Sequence, residues 1–156
     1  MHSDRAHTGH EASAAQCGPP VLLTTLRRLF GPDGSSPLLC RMRYAADDPY
    51  AVAVDLFGDL DMDVCVTWVV ARDLLAWGTR RPSGEGDFRI WPSYRRTGEP
   101  ACLCFSLIRP EGHVTFEADL ADVRHWLDAT YALVPSGTEH RMIDWDTLTA
   151  QWLDRM

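Results

Sequence analysis

The chain has 156 residues, 46% apolar and 24% charged, which is the balance of one globular domain and excludes a wholly disordered chain. Its formal net charge of −7 opposes general nucleic-acid binding, because phosphates repel an acidic surface. No apolar run approaches the roughly 18 residues of a membrane span, and residues 1–20 lack the apolar centre of a secretory signal, so a cytoplasmic protein is expected.

Residues 1–20 carry His2, His7 and His10 among small residues without periodicity, and read as a disordered tail ahead of a domain over 21–156. Strands are predicted over 21–30, 38–44, 50–57 and 64–71, separated by turn formers over 31–37 and 45–49 and an acidic stretch over 58–63. Connections this short cannot make parallel crossovers, so the sheet is antiparallel. The strand over 64–71 is apolar on both faces, which predicts a cover for its second face. Another copy of the chain would provide it, with Val64, Val66, Trp68 and Val70 as candidate interface residues; alternatively the strand lies at the centre of the chain's own sandwich.

A short helix over 72–77 is predicted to stop at Gly78 in the left-handed conformation, and Pro82 forbids its restart. Ser83-Gly84-Glu85-Gly86 reads as a tight turn. A phosphate cradle would follow a strand and open a helix, whereas here the order is reversed and the chain has no Lys. Three further strands, over 87–92, 101–108 and 113–118, lead to a helix over 119–134 with Leu120, Val123, Leu127, Tyr131 and Val134 on one stripe. A last helix starts at Asp144 or Asp146, with Trp145, Leu148 and Trp152 on one side. The fold class is α+β: an antiparallel, β-rich single domain of two sheet halves, each followed by a helix, plus a C-terminal helix.

The five cysteines, Cys17, Cys40, Cys65, Cys102 and Cys104, lack zinc-ribbon spacing and read as buried thiols. A small thiol or histidine enzyme would rest on Cys102, Cys104 and His140 alone. Glu139 and Arg141 are expected to fix the loop into the last helix. In the strand over 87–92, Phe88 and Ile90 face one way while Arg89 and Trp91 face the other. Arg80, Arg81, Arg89, Arg95 and Arg96, with Trp91 and Tyr94, form a basic aromatic cluster suited to protein docking or, less well, to single-stranded nucleic acid. A solvated surface with internal pairs such as Asp87 to Arg89 is the plainer alternative.

Three runs carry a family resemblance: Arg43-Tyr44-Ala45-Ala46-Asp47-Asp48-Pro49-Tyr50-Ala51-Val52, then Ala71-Arg72-Asp73-Leu74-Leu75 followed by Arg81-Pro82-Ser83-Gly84-Glu85-Gly86-Asp87, then Pro135-Ser136-Gly137-Thr138-Glu139-His140-Arg141. In this order they resemble the SsgA-like proteins of sporulating actinobacteria. Trp77 departs from the pattern, standing where a small or charged residue is usual. The resemblance implies a non-enzymatic protein without a cofactor, of whirly-type architecture, assembled as a homo-oligomer, a trimer. Its implied task is to place the division machinery or cell-wall enzymes at sporulation septa. The division tubulin homologue FtsZ, met directly or through a sister SsgA-like protein, is the partner so implied.

Overall fold

Seven strands join into one antiparallel sheet in the computed structural model, which describes residues 18–29, 37–58 and 65–155. In chain order they are β1 Val21–Arg28, β2 Leu38–Arg43, β3 Ala51–Phe57, β4 Cys65–Ala71, β5 Phe88–Ser93, β6 Cys102–Arg109 and β7 Gly112–Asp119, and across the sheet they run β4-β3-β2-β1-β7-β6-β5. Most of the predicted tail, the turn over 31–36 and Val64 lie outside the described residues. β1 belongs to both halves: Val21 to Leu26 pair with β2, whereas Arg27 and Arg28 pair with β7. Helix α1 (Arg72–Gly78) follows the first half, and helix α2 (Leu120–Leu133) follows the second.

Alternation along the strands sends Leu26, Met42, Val54, Ile90, Leu103 and Phe105 to one face, where they form a continuous core with Leu75 of α1 and Leu120 and Val123 of α2. The α2 stripe is buried as its spacing predicts, with Trp126 and Thr130 joining it. Asp119 caps this helix by accepting a hydrogen bond from the Asp122 N–H at 3.0 Å. Helix α3 (Trp145–Leu153) is capped by Asp144 rather than Asp146, through Thr147. Its apolar side meets little of the domain. No residue of α3 is buried, and Trp152 keeps 71% of its surface.

Two expectations are corrected. The doubly apolar strand is not central: β4 is an edge strand, with Val70 buried on the inner face and Val69 69% exposed on the outer one. Gly78 is not a left-handed cap either, because it remains within α1. A Cβ there would lie 2.3 Å from Ile90 Cγ2, so glycine is required for the close approach of α1 to β5.

One buried ion pair ties the helices to the sheet. The Arg72 guanidinium donates to Glu139 Oε1 at 2.7 Å and to the carbonyls of Thr130 and Val134 at 3.0 and 2.9 Å. It lies between the Tyr44 and Tyr131 rings, 4.7 and 4.1 Å from their centroids. Glu139, on a short 3-10 turn over Glu139–Met142, also accepts from the Gly137 N–H at 2.7 Å. Hydrogen bonds from its own backbone N–H, from Arg72 and from Gly137 hold its carboxyl below the usual range against the opposing effect of burial. Thus Glu139 fixes the loop as expected, by reaching the first residue of α1.

On the outer face Asp55 is nearly inaccessible, yet it receives Arg43, Arg41 and Thr67 at 2.7, 2.9 and 2.7 Å. Arg43 foremost, then Thr67 and Arg41, hold its carboxyl far below the ordinary value although burial acts the other way.

Glu139→Gln leaves Arg72 buried without its counter-charge and is expected to cost about 3 kcal/mol in urea unfolding at neutral pH. Gly78→Ala should destabilise by about 1–3 kcal/mol through overpacking, exceeding its helix-propensity gain of roughly 1 kcal/mol. Combining it with Ile90→Ala should cost less than the sum of the two single changes. The Asp55 contribution is present above the unfolded carboxyl pKa of about 4 and is lost as pH falls through the depressed folded value. Asp55→Asn is therefore expected to lower stability at neutral pH and to flatten the acid limb of a stability profile.

Candidate functional site

β5 forms the other edge of the sheet, and its rim is closed from within the chain. Ser83 exchanges two backbone hydrogen bonds with Ile90, at 2.8 and 2.9 Å, and Pro92 has no N–H to offer. Gly84 makes this covering turn at φ +95°, where a Cβ would meet the Phe88 carbonyl oxygen at 2.4 Å. The predicted tight turn is therefore an edge cover, and β5 presents a face rather than a rim.

On that face Arg89 is exposed and Trp91 is half-buried. The suggested Asp87 to Arg89 pair is not formed, and Arg89 has no carboxylate partner among the described residues. Arg89 and Trp91 line a recess of about 550 Å³ together with Ser83, Gly84, Ser106 and His113. His113 Nε2 lies 2.7 Å from Ser106 Oγ and 3.2 Å from Thr115 Oγ1. Sequence order gave no sign of this grouping, since Ser106 and His113 come together only through β6–β7 pairing.

The other predicted cations have different settings. Arg81 stacks over the Trp77 ring at 5.9 Å at the end of α1, so the unusual Trp77 has a cationic neighbour. Arg80 and Arg96 are exposed without an ion pair among the described residues. Arg95 is withdrawn from the surface set: it shares Glu117 with Arg27, and hydrogen bonding to Glu117 raises its own pKa. Arg124, which the sequence did not single out, donates to the Thr79 carbonyl at 2.6 Å and to the Tyr94 hydroxyl at 3.3 Å, connecting α2 to the end of α1.

The candidate interface residues on β4 separate likewise. Val66 is 46% exposed, Trp68 lies under the Arg109 guanidinium at 5.1 Å, and Val70 belongs to the chain's own core. On the opposite face, Val69 shares a cross-strand row with Ala53, Arg43 and the exposed Val21.

Burial, with Glu117 next, pushes the Cys104 thiol up to about 11, so it keeps its proton at neutral pH. His140 is exposed, and its carbonyl accepts from the Trp145 indole N–H at 3.2 Å. Among the described residues no group of three His, Cys, Asp or Glu side chains could hold a metal ion. No described helix is long and apolar enough to cross a membrane.

Comparison with known proteins places this geometry. Residues 38–139 match the family described as Streptomyces sporulation and cell division protein, SsgA. The sporulation-specific cell division protein SsgB of Streptomyces coelicolor is 41% identical over 121 residues, covering 78% of this chain and 85% of the relative. Its counterpart in Thermobifida fusca is 41% identical over 128 residues, covering 81% and 89%. The crystal structure of an SsgA-like sporulation-specific cell division protein from Thermobifida fusca superposes with a TM-score of 0.73 at 36% identity, covering 84% of this chain and 93% of that one. A solved structure from work on SsgB mutations and longitudinal cell division in Streptomyces coelicolor gives 0.70 at 39% identity, covering 78% and 93%. The sheet, its helices and the matched sequence together make this chain a member of the SsgA family of sporulation and cell division proteins.

Proposed function

We propose that this chain is a non-enzymatic adaptor that positions the division machinery, or cell-wall remodelling enzymes, at sporulation septa. The observation that carries the reading is the β5 face, where the Arg89 guanidinium, beside Trp91, has no ion pair among the described residues while the neighbouring strand rim is closed. Arginine and tryptophan in such a setting are the side chains that anchor protein interfaces. The relatives are sporulation-specific cell division proteins, and this supplies the process. FtsZ, engaged directly or through a sister SsgA-like protein, is the partner in this reading, with action from the cytoplasm at the septum.

Self-association belongs to the same proposal, with a trimer as the assembly. Val66 and Val69 leave apolar surface at an open sheet edge, and Trp152 leaves more on α3. Exposed apolar edges of this kind favour pairing with another chain.

A fluorescent fusion is expected to gather at septa as sporulation begins, and purified chain should capture FtsZ or a sister protein. Arg89→Glu with Trp91→Ala should abolish capture while leaving the unfolding midpoint within about 0.5 kcal/mol of the parent, as for surface changes; undiminished capture would remove this surface from the proposal. In sedimentation, Val69→Glu should shift the assembled mass toward the single chain. A parent that already sediments as a single chain would refute assembly.

A further inference from the structure

The recess beside β5 has a chemistry more specific than a docking face. Cross-strand register sets Arg89, Ser106 and Thr115 in one row on the outer face. Ser106 and Thr115 are both buried at 3% exposure, although they sit on the face opposite the core. Their hydroxyls meet His113 Nε2, which fixes the imidazole over the row. Nδ1 is thereby the ring nitrogen without a protein partner among the described residues. Trp91 forms one wall, and the edge cover contributes Ser83 and Gly84.

The charge of this lining is one-sided. Arg89 brings a guanidinium with no ion pair among the described residues, and no lining residue is a carboxylate. The acidic residues nearest in sequence, Glu85, Asp87 and Glu111, do not line it. In a chain of net charge −7, a concavity offering a planar cationic fork, an imidazole nitrogen and an indole wall is an exception.

We propose that the recess receives an Asp or Glu side chain of an acidic peptide segment in the protein partner. The Arg89 fork suits a carboxylate in bidentate geometry, the anchored His113 adds a second polar contact, and Trp91 covers the aliphatic stem. A nucleic-acid strand fits less well, since it requires cations tracking along a backbone, whereas this lining holds a single arginine. The assignment rests on the docking role proposed for Arg89 and Trp91 and adds the chemistry of what docks.

The test is NMR titration of the full chain with N-acetyl-tetraglutamate amide, with tetralysine and poly-dT as comparisons. Tetraglutamate should move the His113 ring and Trp91 indole signals saturably, and Arg89→Gln should weaken that binding at least about tenfold, as loss of a charged hydrogen bond does. Arg155→Gln, exposed past the end of α3 and outside the recess, should leave it unchanged. Absence of those shifts, an Arg89→Gln variant that binds equally, or movement of the same signals by poly-dT but not tetraglutamate would overturn the assignment. Partner capture that survives Arg89→Gln without any tetraglutamate shift would overturn the recess and leave the adaptor role standing. Tetraglutamate binding by a chain that captures no division protein would overturn the adaptor role and leave the recess as a carboxylate site.

Discussion

The pairing of Arg72 with Glu139 holds the rest of the domain in register. An arginine at 1% exposure carries a large desolvation cost, and here it is offset by a carboxylate, two carbonyls at the end of α2 and two aromatic faces. The carbonyls of Thr130 and Val134 lie at the negative end of the α2 dipole, where a cation is favoured. Because the Arg72 N–H is also bound to the Tyr50 carbonyl at 2.8 Å, the start of α1 is fixed to the strand connection before β3 as well. The three sequence runs that carry the family likeness therefore converge on one contact: Tyr44 from the first, Arg72 from the second and Glu139 from the third. Family membership is written in the scaffold, and the proposed docking face stands apart from it.

The two edges of the sheet have opposite chemistry. At β5, Ser83 occupies the hydrogen-bonding positions of Ile90, and Pro92 removes another donor, so a foreign strand finds no continuous ladder. At β4 the valines leave apolar surface instead. A sheet closed at one edge can present side chains there without adding strands, while association through the other edge leaves that face uncovered. In the proposed function, this division would separate assembly from partner recognition on one small domain.

Much of this architecture was legible from local pattern. The seven strands, the α2 stripe and an aspartate cap at the start of α3 follow from alternation, helical spacing and a short acceptor side chain, which are properties of neighbouring residues. The errors arose where a distant contact decided the outcome. Gly78 carries the local signature of a helix stop, yet its role is set by Ile90, twelve residues on. Arg95 looked as available as Arg89 until pairing of β6 with β7 brought Glu117 across to it. Two apolar faces on β4 suggested a covered strand, but nothing in a single strand's pattern distinguishes a cover supplied by the chain from one supplied by another molecule. The His113 and Ser106 pair was hidden for the same reason as Glu117: it exists only after the hairpin forms.

The outer face also takes four of the fifteen arginines into ion pairs with buried carboxylates. Asp55 binds Arg41 and Arg43, and Glu117 binds Arg27 and Arg95, so each buried carboxylate withdraws two cations into the sheet. Each such cluster joins charges across neighbouring strands and supports cross-strand registry, much as paired charges on facing strands do. On the outer face Arg89 lies in the row next to that of Glu117, beside Ser106 rather than Cys104, and a shift of two residues in β5 would have given it that carboxylate's row. The register of β5 thus determines which cation stabilises the sheet and which faces solvent. Since Ser83 and Gly84 pin that register from the edge, the glycine-rich turn supports the proposed recognition indirectly, by holding Arg89 where no carboxylate of the described residues pairs with it.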